Sequence, residues 1–224
     1  MAQQDYNGAL TGKEIDALPG RIAALEAVTF PLTASYGTKN NGTYEVGTSV
    51  TPTVALNITR KGADVASSAT VTVSPSGATV ASNNKSWTAP ALSSGSKSYS
   101  TSVTQGGQTV SLGSLSWSFT YYRYRGALSS VPSDYAAAIK ALATKELSTS
   151  SSLGSTALAA NKYYLFAVKG SNVTFTVKHA QTGGVISGCV TGTATIAQEN
   201  GAGSNVYSYV LVPASSSAWN FTIN

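Results

Sequence analysis

The sequence predicts an all-β protein with two tandem β-sandwich domains and a short helical segment in front of them. Charged residues make up only 10% of the 224 residues, while hydrophobic residues reach 42%. Ser and Thr are abundant, which together with Val and Gly is typical of short strands joined by polar turns. Alternating apolar and polar stretches recur about every 8–12 residues, and Gly, Pro or Asn separates them. This spacing is typical of an immunoglobulin-like (Ig-like) sandwich.

Residues 1–28 are predicted to form an N-terminal attachment or oligomerisation segment. Thr11 and Glu14 match a capping box, the pair of reciprocal hydrogen bonds that starts a helix. Apolar residues then follow at the spacing of a short coiled-coil stripe: Ile15, Leu18, Ile22 and Leu25. Pro19-Gly20 interrupts this stripe, and two heptads are too short to hold together alone. The segment is either an amphipathic helix lying on its own domain or a device that needs identical neighbours or a host surface.

Residues 29–122 are predicted to form the first Ig-like β-sandwich domain. The stretch YEVGTSVTPTVALNITRKG alternates in polarity and offers four residues to a core face: Val50, Val54, Leu56 and Ile58. Gly106-Gly107, between two alternating runs, predicts a β-hairpin. A length of about 95 residues also suits one such domain. The cysteine pair of antibody domains is missing, so the likeness concerns the architecture alone.

Residues 123–224 are predicted to form a second β-sandwich domain that carries one helix over about 133–147. Ser133 is the predicted N-cap of this helix, and Asp134 favours its positive end. One face of the helix is expected to be buried: Tyr135, Ile139, Leu142 and Ala143. Strands return after a serine-rich loop, from KYYLFAVKG to the C-terminal AWNFTIN. No Pro- or Gly-rich linker separates the two domains, which favours a rigid tandem.

A strand rich in tyrosine and arginine lies where the two predicted domains join: Tyr121, Tyr122, Arg123, Tyr124 and Arg125. Aromatic side chains interleaved with basic ones can stack and clamp single-stranded nucleic acid. They also make a stiff seam, because tyrosine offers a large contact area and arginine stacks on it. A nucleic-acid channel needs further basic residues, yet no basic run exceeds Arg60-Lys61. We therefore predict an interdomain seam and no nucleic-acid partner.

No catalytic, metal-binding or cofactor-binding residues are predicted. His179 is the only histidine, and it has no partner at the spacing of a catalytic triad or a metal site. Cys189 is the only cysteine and is interpreted as a small core residue. The acids of the β regions are scattered along the chain: Glu45, Asp64, Asp134, Glu146 and Glu199. Motifs for nucleotide binding or a serine nucleophile are missing, so we expect a protein without enzymatic activity.

A sugar-binding platform would need exposed tryptophan side chains. Trp117 and Trp219 each alternate with other apolar residues, which predicts positions on a core face. Trp87, beside a turn, is the tryptophan expected at the surface. A single exposed tryptophan is too little to predict a carbohydrate site.

The sequence also bears on where the protein is found. Its first ten residues, MAQQDYNGAL, lack the basic and apolar regions of a secretory signal. No apolar run approaches the 18 or so residues that a membrane-spanning helix needs. We therefore expect a protein made in a cytoplasm, without a signal peptide and without membrane insertion.

Segments at both ends of the chain resemble known virion proteins. The segments YYRYRGALSS, AAIKAL, KYYLFAV and VYSYVLV…WNFTIN resemble the C-terminal domains of virion proteins from tailed bacteriophages of Bacteroidetes hosts, including crAss-like phages. LTGKEIDAL…RIAALE is similar to the N-terminal attachment helices of phage fibre proteins. The resemblance covers about half of the chain and consists of aromatic and small-residue patterns, without a catalytic signature.

The resemblance implies a non-enzymatic structural protein of the virion: a head fibre, a capsid decoration or a tail-associated protein. Such a protein would be a homo-oligomer, a dimer or a trimer, and would bind other virion proteins through its N-terminus. Its Tyr-rich C-terminal strands would contact neighbouring subunits or host-surface glycans. Virions assemble in the host cytoplasm and leave by lysis, so neither a signal nor a disulfide is needed. The alternative is a bacterial carbohydrate-binding module or adhesin.

Overall fold

The all-β prediction is confirmed by a computed structural model of the protein. The structure describes residues 16–22, 25, 30–148 and 150–224. Strands make up 53% of it, and they form sandwich-type sheets. The finer prediction of two Ig-like domains in tandem stays a prediction.

The first part of the chain is strand-rich after a helix α1 over 16–22. Its strands are β1 (Leu32–Lys39), β2 (Gly42–Glu45), β3 (Thr53–Arg60), β4 (Ala63–Asp64), β5 (Thr70–Ser74), β6 (Thr79–Val80), β7 (Ser86–Thr88), β8 (Ser96–Gln105) and β9 (Gln108–Thr120). A short 3-10 helix, Ala66–Ser68, follows β4.

The second part contains one helix, α2 (Tyr135–Ala141), among the described residues. Its strands are β10 (Tyr122–Leu128), β11 (Thr144–Leu147), β12 (Leu153–Leu158), β13 (Tyr163–Lys169), β14 (Val177–His179), β15 (Val190–Ala197), β16 (Ser204–Val212) and β17 (Trp219–Ile223).

The described strands form four sheets. One has the order β1-β3-β7-β6, with β4 paired to β3, and another has the order β2-β9-β8-β5. A five-stranded sheet has the order β11-β10-β13-β16-β15, and a three-stranded sheet has the order β12-β17-β14. Apart from β2, which runs parallel to the end of β9, the paired strands whose register is resolved are antiparallel.

The chain divides into two compact units that are not continuous in sequence. Unit 1 comprises the described residues within 1–41, together with Thr51–Ala91 and Ser98–Ser116. Unit 2 comprises Gly42–Val50, Leu92–Lys97 and Trp117–Asn224. The domain boundaries at 28/29 and 122/123 stay a prediction.

Unit 1 is a sandwich whose two sheets meet around Trp87. This side chain is 1% exposed, and its ring lies 5.5 Å from that of Tyr99 on β8. Its Nε1 donates to Oγ1 of Thr101, also on β8, over 3.1 Å. Because β7 and β8 belong to different sheets, these contacts pack the two sheets face to face. The predicted core face of β3 is confirmed, since Val54, Leu56 and Ile58 are buried.

The predicted hairpin at Gly106-Gly107 is confirmed as the connection between β8 and β9. Both glycines have positive φ, +54° and +75°, as a two-residue turn that follows the twist of its strands requires. Arg60 fixes this hairpin by donating to Oε1 of Gln105 over 2.8 Å and to Oε1 of Gln108 over 2.9 Å.

Unit 2 has three layers: α2, the five-stranded sheet and the three-stranded sheet. β13 is buried on both faces, which explains the unbroken apolar run YYLFAV. One face of β13 shares a core with β12 and β17, and the central residues of that core are Phe166 and Phe221, both fully buried. The other face packs under α2, where Ile139 is fully buried beside Leu165. The predicted second domain, a β-sandwich over residues 123–224, stays a prediction, since unit 2 also includes residues from the first half of the chain.

The helix is shorter than the predicted 133–147. Asp134, rather than Ser133, is the N-cap, and its carboxylate accepts from the backbone N of Ala137 over 3.1 Å. The helix ends at Ala141, and Thr144–Leu147 forms strand β11 beside β10. Pairing with β10 overrides the helix propensity of this stretch, and Ala143 of the predicted buried face is exposed.

Candidate functional site

The predicted attachment stripe is described only in part. Ile15 and the capping box lie outside the described residues. Leu18 is half-buried on α1, whereas Ile22 is 56% exposed and Leu25 is 72% exposed. An attachment or oligomerisation role for this stripe stays a prediction.

The tyrosines and arginines of the predicted seam all lie in unit 2: Tyr121, Tyr122, Arg123, Tyr124 and Arg125. On β10, Tyr124 is fully buried beneath α2 while the arginines lie on the other face, as the alternation of an extended strand requires. Nε of Arg123 donates to Glu146 over 2.7 Å, and Arg125 pairs with the other oxygen of the same carboxylate. The composition of this strand is thereby explained by sheet packing. The interdomain seam stays a prediction.

The Glu146 carboxylate is expected to make the protein sensitive to acid. Hydrogen bonds from Arg125 and then Arg123 hold the pKa of Glu146 below its usual value of 4.5. A carboxyl with a depressed folded pKa stabilises the fold above its unfolded pKa and loses that contribution as pH falls through the folded pKa. The free energy of unfolding should therefore fall below about pH 4.5.

Urea unfolding of the native protein and of Glu146→Gln at about pH 6 and about pH 3 checks this. The variant should be less stable by about 1–2 kcal/mol at the higher pH and should lose less stability on acidification. Identical pH dependence of the two proteins would contradict the assignment.

Two of the scattered acids come together in unit 2, in a cluster that we call the acidic clasp: Glu45, Val46, Gln198, Glu199 and Asn200. Glu45 is the last residue of strand β2, and its side chain is 5% exposed. Its carboxylate accepts from the backbone N of Glu199 over 3.0 Å and from that of Asn200 over 2.8 Å. Nε2 of Gln198 donates to the backbone O of Val46 over 2.8 Å. The turn between β15 and β16 is thereby tied to the segment that follows β2.

A glycine makes the close approach in the acidic clasp possible. Gly47 has φ +92°, a conformation that other residues rarely adopt. A Cβ placed on Gly47 would lie 2.5 Å from Cβ of Ala202, well inside van der Waals contact. Both features require glycine at this position.

The second carboxylate of the clasp is also fully engaged by the protein. Oε1 of Glu199 accepts from Nζ of Lys140 over 2.7 Å and from the hydroxyl of Tyr124 over 3.0 Å. Oε2 pairs with Nζ of Lys145 over 3.1 Å. Burial alone would raise the pKa of Glu199, but the two lysines and the tyrosine hydroxyl outweigh it and lower the pKa. The clasp therefore has the chemistry of a structural ion network.

The buried tyrosines around the clasp are core residues. Burial first, and the neighbouring Tyr207 second, raise the pKa of Tyr124 well above its usual value. Tyr207 and Tyr209 of the Tyr-rich strand β16 are 1% and 8% exposed. These two side chains are enclosed by α2 and the sheet. Contact of the Tyr-rich strands with neighbouring subunits or glycans stays a prediction.

The tryptophan predicted at the surface is buried, and one predicted on a core face is only partly buried. Trp87, 1% exposed, fills the centre of unit 1. The core prediction for Trp117 is confirmed, since its side chain is 0% exposed. Trp219, at the start of β17, is only partly buried and packs at the margin of the core between the two sheets of unit 2. Alternation along β17 places Trp219 on the same side of the sheet as Phe221. Because Trp219 lies at the end of the strand, the described residues cover its side chain only in part.

Trp219 forms a platform with the only histidine, His179. The two rings are stacked, with centroids 5.7 Å apart and planes inclined by 22°. His179 ends β14 and pairs across the sheet with Phe221, so register brings it diagonally opposite Trp219. Nδ1 of His179 accepts from the backbone N of Gln181 over 3.4 Å, which orients the imidazole. This pair, which we call the His–Trp platform, is the candidate binding site of unit 2.

Two open depressions share the His–Trp platform as a wall. One has a volume of about 510 Å³ and is also lined by Leu158, Gln181 and Asn220. The other has a volume of about 440 Å³ and is also lined by Ile186 and Ser217. Both volumes lie in the range of small-molecule sites. Sequence reasoning missed the platform because nothing in local alternation shows that His179 and Trp219, 40 residues apart, become neighbours.

In the described part of the chain, no three His, Cys, Asp or Glu side chains are grouped so that they could hold a metal ion. The described helices are all too short or too polar to cross a lipid bilayer. The sequence matches no protein-family model and no curated protein.

Proposed function

We propose that the protein is a non-enzymatic structural component of a bacteriophage virion. It serves as a head fibre, a capsid decoration or a tail-associated protein. Its N-terminus attaches it to identical subunits and other virion proteins, and its β units face neighbours or the host surface. The resemblance of both ends of the chain to virion proteins supports the virion assignment.

The structural part of the proposal is carried by one observation: three carboxylates of unit 2 are bound by other groups of the protein. Glu45 accepts from two backbone amides, Glu146 from two arginines, and Glu199 from two lysines and a tyrosine. General acid–base catalysis needs a carboxyl group that is available to substrate. These three carboxylates instead fasten turns and strands to one another, as a protein with a mechanical role requires.

Self-association is expected to depend on the apolar face of α1. Ile22→Lys places a charge in the stripe and should convert a dimer or trimer into a monomer, because a lysine cannot be buried in a coiled-coil seam without a large cost. Native mass spectrometry at several protein concentrations checks this.

Ala17→Lys is the matched control, since it adds the same charge on the other side of α1 and should leave the oligomer intact. A native protein that is monomeric at all concentrations would overturn the self-association part of the proposal. The virion part is tested by mass spectrometry of purified particles of the phage that encodes the chain, and it fails if the protein is missing from them.

A second candidate function is that of a bacterial carbohydrate-binding module or adhesin. The His–Trp platform favours it, because a partly exposed tryptophan beside open depressions is a suitable wall for a sugar. Detection of the chain on bacterial cells instead of phage particles would favour this candidate.

A further inference from the structure

The His–Trp platform combines apolar faces with neutral polar groups. The two depressions are lined by alanine, serine, glutamine and asparagine in addition to the aromatic pair. No Asp, Glu, Lys or Arg is among these lining residues. A site for an anionic ligand typically presents arginine or lysine. The lining therefore suits a ligand without charge.

The polar groups around the platform match hydroxyl groups. The side-chain amides of Gln181 and Asn220 can each donate and accept, and so can the hydroxyls of Ser215 and Ser217. In neutral His179, Nδ1 accepts from Gln181, so the proton lies on Nε2 and can be donated to a ligand. Sugar hydroxyls also both donate and accept, which makes them complementary to this set.

The indole of Trp219 carries a hydrogen-bond donor that the protein leaves unused. Nε1 is enclosed and has no acceptor among the described residues. Because Nε1 has almost no accessible surface, a ligand in the depressions contacts the ring of Trp219 and not this donor.

We propose that the His–Trp platform binds a neutral saccharide. One sugar ring lies with its C–H groups against the aromatic faces, whose negative quadrupole attracts them. Its hydroxyls bond to Gln181 and Asn220 in one depression or to Ser215 and Ser217 in the other. Because the two depressions share one aromatic wall and both are open, the platform suits a saccharide chain better than a single enclosed sugar. This inference deepens the second candidate function and rests on it, and it uses none of the residues of the N-terminal stripe.

Intrinsic fluorescence provides a direct test on the full-length protein. Trp87 and Trp117 are buried, so a change on adding ligand reports on Trp219. The probes are neutral hexasaccharides of glucose, mannose, galactose, xylose and N-acetylglucosamine, each titrated to about 10 mM, beyond the range of weak specific affinities. Hexagalacturonate is the anionic counterpart. At least one neutral hexasaccharide should bind with saturation, and binding should be confirmed by calorimetry.

Variants then locate the binding. Trp219→Ala should weaken the affinity by about tenfold or more, as loss of a stacked aromatic does. Since Trp219 also packs against the core, Ala218→Lys is the second variant: Ala218 is exposed and lines both depressions, so a long charged side chain obstructs them without disturbing the core. Tyr36→Ala, a half-buried aromatic in unit 1, is the control and should bind as the native protein does.

Several results would overturn the proposal. One is that no neutral hexasaccharide shows saturable binding. Another is that only the anionic hexagalacturonate binds. A third is that a neutral hexasaccharide binds the Ala218→Lys and Trp219→Ala variants as tightly as the native protein. Each leaves the self-association test of Ile22→Lys untouched, so the two proposals fail separately.

Discussion

Replacing Glu45 by alanine should lower the free energy of unfolding by about 3 kcal/mol. The substitution removes the carboxylate that accepts from the backbone amides of Glu199 and Asn200. Both amides would then be left in a partly buried turn without an acceptor, and each such group costs about 1–3 kcal/mol. Such a loss is a large fraction of the roughly 5–15 kcal/mol that stabilises a typical domain. Urea unfolding followed by circular dichroism measures it.

Glu45→Gln is the matched control for this prediction. Glutamine keeps the shape and one acceptor oxygen, but it turns an NH₂ group toward the second amide, so an intermediate loss is expected. A Glu45→Ala protein as stable as the native one would show that the acidic clasp does not hold the turn.

Replacing Phe221 by alanine should cost about 3–5 kcal/mol of unfolding free energy. Phe221 is 0% exposed on β17, the central strand of the three-stranded sheet. Its ring meets that of Tyr164 edge to face at 5.1 Å, and Tyr164 belongs to the opposite sheet. The substitution leaves a cavity between the two sheets that neither can collapse to fill, because each is held by its own ladder of hydrogen bonds.

Phe175→Ala makes the same change at the margin of the same core. Phe175 is only partly buried and contacts Phe166 edge to face at 5.9 Å. Its removal should cost clearly less than that of Phe221, measured in the same denaturant series. Equal losses for the two variants would mean that the core is not centred on Phe221.

Local chemistry was sufficient to predict strand β3 and the hairpin turn between β8 and β9. The alternation around Leu56 predicted a half-buried strand, and Gly106-Gly107 predicted a hairpin, because a two-residue turn needs positive φ at both positions. The helix start was nearly correct, since Asp134 lies one residue beyond the predicted cap.

Long-range contacts account for what sequence reasoning missed. The stretch Thr144–Leu147 became a strand because β10 offers it a pairing edge and two arginines bind Glu146. Burial of Trp87 depends on Tyr99 and Thr101 of another sheet, which a turn-adjacent position does not reveal. Likewise, the partners of Glu45 lie more than 150 residues further along the chain. A sequence read in short windows cannot bring such groups together.

The separation between Glu45 and the turn that it binds has a consequence for biosynthesis. The two lie 154 residues apart, and ribosomes add about 5–20 residues per second, so roughly 8–30 s pass between the synthesis of one and the other. During that interval the Glu45 carboxylate remains hydrated on the nascent polypeptide. Unit 2 can reach its final form only after the β15–β16 turn has left the exit tunnel and met the Glu45 carboxylate.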